Sequence, residues 1–260
     1  MAWTGKSNHR VERPDSFKRQ GMERLGRART GVAWTGKANH RLFGADSFPK
    51  YKPKINDTMI KLNLNIRGIR PIIMHNGRTA DPLDPWAKKL KSVSSKRKKT
   101  EEDHELMSEI EFEAGLYWSD DLGVYMPADN LQRMFLDACK KIRMGRESIG
   151  IMIDTEYGCP LVFTNHKNLK KLKADPEARI RKIVGLTGVK VVRTRPLIPT
   201  GWTMEIPIEL DPDLIDRDTF EQIAEIAGHR IGMGDWRPGA PRVPGSFGRF
   251  VVESISNGSN

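Results

Sequence analysis

Cysteine is scarce in this chain. There are two, Cys139 and Cys159, and no CxxC pair. A structural zinc site and a disulfide framework are therefore not expected, and the pattern fits a reducing cytosol. Long apolar runs are also missing: none approaches the ~18–20 residues of a membrane span. The N-terminus carries no apolar stretch of the kind a secretory signal needs. A cytoplasmic protein without a membrane partner is the expectation. Hydrophobic content is low at 38%, with a mean hydropathy of −0.55, which implies a core plus a sizeable fraction outside it.

Acidic residues are sparse in one part only. Residues 1–57 hold 13 Lys/Arg against 5 Asp/Glu, a net +8. The other 203 residues hold 31 against 28, a net +3, which together make the chain's +11. The basic excess is thus mainly an N-terminal property, and basic arms of this kind bind nucleic acid or other acidic surfaces.

That arm contains a repeat. Ala2-Trp-Thr-Gly-Lys-Ser-Asn-His-Arg10 recurs as Ala33-Trp-Thr-Gly-Lys-Ala-Asn-His-Arg41, and Asp15-Ser-Phe17 recurs as Asp46-Ser-Phe48 at the same offset of 31. Two copies without an apolar face cannot stack into a solenoid, so residues 1–57 read as an extended arm carrying a duplicated motif. One copy presents Trp3, Lys6, His9 and Arg10. The other presents Trp34, Lys37, His40 and Arg41. Three uses stay open: base stacking with phosphate contact, docking of Trp into a neighbouring subunit, or duplication within a tail. Gly31 to Ala38 superficially matches a P-loop, but Ala38 stands where a magnesium-binding hydroxyl is needed and no strand precedes it.

The folded part begins near residue 58. Met59 to Ile66 alternates apolar and polar as a half-buried strand does, and Ile69 to Met74 is a second apolar piece. Lys88 to Lys99 has seven basic residues in twelve; Glu101 to Glu113 has seven acids in thirteen, with Leu106, Ile110 and Ala114 at helical spacing. Residues 79–118 read as a charged helical insertion, either a solvated hairpin or a mobile element that closes over a bound strand. Val124 to Met126 reads as a strand. Pro127 to Ile142 has one apolar stripe, Leu131, Met134, Phe135, Ala138 and Ile142, and is the strongest helix. Strands are expected at 149–153, 179–184, 189–195 and 202–210, with a short apolar run at 160–163. A helix over 218–227 and a last strand over 247–254 follow.

Between that helix and strand, Gly228 to Gly248 holds six glycines and three prolines in 21 residues. Glycine takes positive φ without strain and lets backbone amides come close to a ligand. Arg230, Trp236, Arg237, Arg242 and Arg249 are interleaved with Gly232, Gly234, Gly245 and Gly248. Guanidinium groups and an indole on such a backbone suit a nucleic-acid strand, and a glycine hairpin with solvated arginines is the plainer alternative.

With the insertion set aside, the order approximates β-α-β-β-α-β, the ferredoxin-like pattern of an antiparallel α+β fold. Taken with Gly232-Met-Gly234 through Gly245-Ser-Phe-Gly248-Arg-Phe250, and with Asn65-Ile-Arg-Gly68 at the first strand's exit, the chain resembles the RAMP superfamily of CRISPR RNA-binding proteins. The resemblance covers about two thirds of the chain. It departs at the duplicated arm and at the extra strands between Cys159 and Leu210. His75-Asn-Gly-Arg78 with its insertion also looks like a group of phage-encoded proteins, which brings no activity with it. The resemblance implies a single RNA strand held by the sheet and glycine loop, with subunits polymerising along it. RNA is then the expected partner before DNA, in a homo-oligomer or larger complex.

Asn76, Arg78, Lys96, Arg97, Lys98 and Lys99 join the loop residues as candidate strand contacts. Some RAMP proteins are metal-independent endoribonucleases, and there His75 would serve as the proton-transfer group. Tyr157, Lys88 and His229 are the available second groups. A phage assembly protein with a docking arm is the third reading. Asp154 and Glu156 share a strand-end face that could hold magnesium, although such acids are more often solvated at a turn. No metal and no cofactor are expected.

Overall fold

The computed structural model describes residues 59–186 and 188–258. The expected arm, with Trp3, Lys6, His9, Arg10, Trp34, Lys37, His40 and Arg41, lies outside the described residues. Ten strands and five α-helices follow one another: β1 (Ile60–Gly68), β2 (Ile72–Ile73), α1 (Pro85–Ser94), α2 (Glu101–Gly115), β3 (Trp118–Ser119), β4 (Gly123–Pro127), α3 (Ala128–Lys141), β5 (Ile151–Ile153), β6 (Gly158–Pro160), α4 (Leu169–Ala174), β7 (Arg179–Leu186), β8 (Val189–Ile198), β9 (Thr203–Leu210), α5 (Arg217–Ile226) and β10 (Phe250–Asn257). The architecture is mixed α and β with antiparallel sheets. Among the described residues no helix is long and apolar enough to cross a membrane.

The main sheet has the order β10–β1–β9–β5, and every neighbouring pair is antiparallel. Period-two alternation sends Leu62, Leu64 and Ile66 of β1, and Met204, Ile206, Ile208 and Leu210 of β9, into one core. Helices α3 and α5 complete that core through Leu131, Met134 and Phe135 on one and Phe220 and Ile223 on the other. The Phe135 and Phe220 rings lie 5.8 Å apart. Each large side chain buried this fully stabilises the fold by about 1.5–3 kcal/mol. Pro127 caps α3 from outside instead of opening its first turn.

The sheet's other face is polar. It presents Lys61, Asn63, Asn65 and Arg67 of β1 beside Glu209, Pro207, Glu205 and Thr203 of β9, and Ser256, Ser254, Glu253 and Val251 of β10. Asp154 reaches Lys61 there at 3.6 Å, so the candidate metal carboxylate is engaged by an ammonium. Among the described residues of these strands, two basic side chains face four acidic ones, Asp154, Glu205, Glu209 and Glu253, with no aromatic ring beside them.

Strands β7 and β8 form a long hairpin paired from Arg179↔Pro196 to Leu186↔Val189. Strand β2 adds to it through Ile72↔Ile198 and Ile73↔Leu197. This separate sheet is where the chain departs from a bare β-α-β-β-α-β order. Helix α2 lies against β8, and the solvated hairpin expected over 79–118 is corrected there. Phe112 and Ala114 are fully buried, Ser108 Oγ and Thr194 Oγ1 are 2.8 Å apart, and the Glu111 carboxylate accepts from Arg193 Nη1 at 2.5 Å and from the Thr194 N–H at 2.7 Å. A helix rich in acids is held inward because one acid finds buried donors. The last strand begins at Phe250 and not at Phe247, because Gly248 takes a φ of 66° and turns the chain out of extended geometry.

Candidate nucleic-acid interface

Helix α5 ends in a π turn, Ala227–Ile231, and the glycine-rich loop folds back on itself from there. The Gly232 N–H donates to Ala227 O at 2.7 Å, Gly239 to Ile231 O at 2.8 Å, Gly245 to Arg237 O at 3.2 Å and Gly248 to Pro71 O at 2.7 Å. A Cβ at Gly234 would press on the Ile73 carbonyl, one at Gly245 on the Trp236 carbonyl, and one at Gly248 on the Met233 carbonyl. Glycine is needed here for backbone-to-backbone approach inside the protein. The amides of those four glycines are used internally, so what the loop presents outward is side chains.

One product of this folding is a cleft of about 180 Å³. Its walls come from four places: Met74 and His75 after β2, Tyr117 with Met126, the α3 residues Asn130, Arg133 and Met134, and the loop segment Gly232–Asp235 with Arg237. Positions 130, 133 and 134 share one helix face, which sets Asn130 and Arg133 along the same rim. His75 also lines a second hollow of about 230 Å³, together with Asn76, Thr79, Glu111, Arg193 and Arg195.

Asp235 sits between the two. Its Oδ2 lies 3.5 Å from His75 Nδ1 and 3.9 Å from Arg195 Nε, and its own N–H donates to Ile73 O at 2.8 Å. Burial pushes its carboxyl upward, but the His75 contact, the Arg195 charge and the Trp236 N–H outweigh this and hold it below the usual carboxylate range. Burial also lowers Arg195, a group that stays charged at any physiological pH. Tyr117 donates its hydroxyl to His75 O at 3.3 Å, fixing the backbone at that position.

The β7–β8 hairpin borders the loop. Lys182 Nζ lies 5.9 Å from the Trp236 ring centroid and 5.2 Å from that of Phe247, so a cation covers two half-buried aromatics. Trp236 holds a φ of 50°, an uncommon conformation for a bulky residue, stabilised by the tight turn around it.

The candidates of the sequence fall into groups. Arg237 lines the cleft and donates to Gly234 O at 3.1 Å, and Gly232 and Gly234 form its loop wall. Arg249 is half-buried, 3.4 Å from His229 Nδ1, while Arg230 and Arg242 are exposed. Asn76 accepts from the Arg78 N–H at 3.2 Å as a turn cap, and Arg78 pairs with Asp84 at 3.1 Å, so these two hold the entry to α1. Lys96 pairs with Asp103 at 2.6 Å, Arg97 and Lys98 are exposed, and Lys99 lines a separate groove with α2, Arg179 and Arg181. The structure therefore does not bring Lys96–Lys99 to the cleft. Tyr157, Lys88 and His229 are also absent from its walls.

Tyr117, Asn130, Arg133, Lys182, Arg195 and Asp235 escaped the sequence reading. Asn130 and Arg133 were detectable as the polar edge of the α3 stripe. Asp235 was detectable only as an acid inside the glycine loop. No protein-family model matches the chain, and no curated protein matches its sequence at a significant level.

Proposed function

We propose that the chain is a nucleic-acid-binding protein that holds a single strand, RNA in preference to DNA, along the cleft beside its glycine loop. The observation that carries this is a cleft lined by Arg133 and Arg237, with Lys182 held over Trp236 and Phe247 of the same glycine loop. Guanidinium and ammonium groups take phosphate oxygens, and Lys182, held over Trp236 and Phe247, adds a cation beside the loop. The antiparallel order β10–β1–β9–β5, with α3 following β1 and α5 following β9, supports reading the main sheet as ferredoxin-like. That in turn supports the RAMP-like reading, in which copies of the chain line up along one strand. The strand's path differs from the one the resemblance implies: the polar sheet face is acid-rich, so the strand runs along the cleft. The two buried, unpaired thiols, Cys139 and Cys159, suit a reducing compartment such as the cytoplasm.

Fluorescence anisotropy of labelled single-stranded RNA and DNA across a salt series tests the reading. Three phosphate contacts give a slope of about −2 in log K against log salt. Absence of binding at low salt contradicts it.

A second reading is favoured by the His75–Asp235 contact of 3.5 Å. A carboxylate that orients an imidazole makes it a general base. In a metal-independent endoribonuclease His75 would take the proton of a 2′-hydroxyl. The 2′-oxygen would then attack phosphorus and expel the 5′-oxygen, which takes a proton from solvent water, leaving a 2′,3′-cyclic phosphate and a 5′-hydroxyl. Incubation of RNA in EDTA should give discrete cuts that His75→Ala removes; intact RNA leaves the protein a binder only.

A further inference from the structure

We propose that the cleft is a pocket for a single nucleobase carrying an exocyclic amino group; this rests on the strand-binding reading above. Its floor consists of Met74, Met126, Met134 and Met233, each no more than 3% exposed. Four thioethers make a polarizable, adaptable surface that contacts flat rings favourably. The volume of about 180 Å³ is well below the ~300 Å³ at which drug-sized sites begin, so the cleft admits one ring system and not a whole nucleotide.

The rim supplies polarity in the places such a guest needs. Arg133, paired with Asp137 at 3.2 Å, and Arg237 line the cleft and keep further N–H groups for the phosphates on either side of an inserted base. The Asn130 amide donates one N–H to Met126 Sδ at 3.6 Å and keeps its other N–H and its oxygen for a base edge. Asp235 offers only acceptors, because its neighbours keep it ionised. An acceptor-only group takes the amino groups of adenine, cytosine and guanine, whereas uracil offers it only N3–H, flanked by two carbonyl oxygens that repel a carboxylate.

The test uses the full chain and single-stranded RNA carrying 2-aminopurine, which has an exocyclic amino group and brightens when it leaves its stack. A terminal label reports affinity by anisotropy in the same sample, and the probe is placed at several positions in turn. Wild type should bind, and emission should rise at one or more positions. Asn130→Trp adds bulk at the exposed rim, and Tyr117→Ala removes a wall; each should abolish the rise and weaken binding about tenfold. Oligo(U) should compete less well than oligo(A) or oligo(C). Full-affinity binding with no rise, or a rise unchanged in both folded variants, overturns the base pocket and leaves strand binding standing. No change in anisotropy overturns strand binding and the pocket together.

Discussion

The polar face of the main sheet and the cleft beside the glycine loop are opposite surfaces in electrostatic terms. On the sheet, Lys61 and Arg67 face Asp154, Glu205, Glu209 and Glu253, and the described strands place no ring among them. Beside the cleft, Arg133, Arg237, Lys182 and Arg195 outnumber Asp235 and Asp137, the latter paired with Arg133 at 3.2 Å, and four methionines line the wall. The same contrast holds for ion pairs. Arg67–Glu253 and Arg193–Glu111 both measure 2.5 Å, but the first pair is 49% and 42% exposed and the second 26% and 6%. Equal geometry in unequal burial gives different energies. Under the proposed reading a strand of phosphates avoids the first surface and follows the second, so an open sheet is not by itself the place to look for binding.

Four perturbations sharpen that contrast, from the largest effect to the smallest. Gly248→Ala should destabilise by about 4 kcal/mol, since its Cβ meets the Met233 carbonyl at a φ of 66°, and should weaken nucleic-acid binding with it. Gly185→Ala in β7, with open space at its Cβ, should stay within about 0.5 kcal/mol in the same urea titration. Glu111→Ala should cost about 3 kcal/mol by leaving Arg193 and the Thr194 amide without their buried acceptor. Its counterpart on the sheet, Glu253→Ala, should cost less than about 1 kcal/mol.

The third perturbation is pH. Asp235 titrates below its unfolded value, so its interactions stabilise the fold above about pH 4 and are lost as pH falls through the lowered value. Asp235→Asn should flatten that acid limb of the Tm profile. The fourth is thiol access. Burial pushes Cys139 up to about 11 and Cys159 up to about 12, so neither should react with a thiol reagent at pH 8 until the protein is unfolded. Rapid reaction of Cys139 in the native protein would mean that α3, which carries Asn130 and Arg133, opens.

Strands and helices with a clean period were legible in the sequence. The β1 alternation, the strict alternation of β9 and the α3 stripe each match an observed element within a few residues. Elements governed by distant partners were not legible. The inward packing of α2 depends on Glu111 meeting Arg193 and Thr194 across more than 80 positions, and nothing in the local charge pattern reveals it. The start of β10 was misplaced because Phe247 is apolar, whereas the Gly248 backbone decides the geometry. In the candidate site, Arg237, Gly232 and Gly234 were found because the loop's composition is unusual. The Asp235 contact with His75 was missed because 160 positions separate them, and the basic run Lys96–Lys99 was included because a charge run shows composition but not place.

The most direct measurement is the salt dependence of single-stranded RNA binding for two matched double variants. Arg133→Ala with Arg237→Ala removes charge from the cleft, and Lys61→Ala with Arg67→Ala removes the same charge from the sheet. The cleft pair should lower affinity at least about tenfold and reduce the salt slope by about 1.4, and the sheet pair should change neither. Equal losses from both pairs, or a larger loss from the sheet pair, would contradict binding at the cleft.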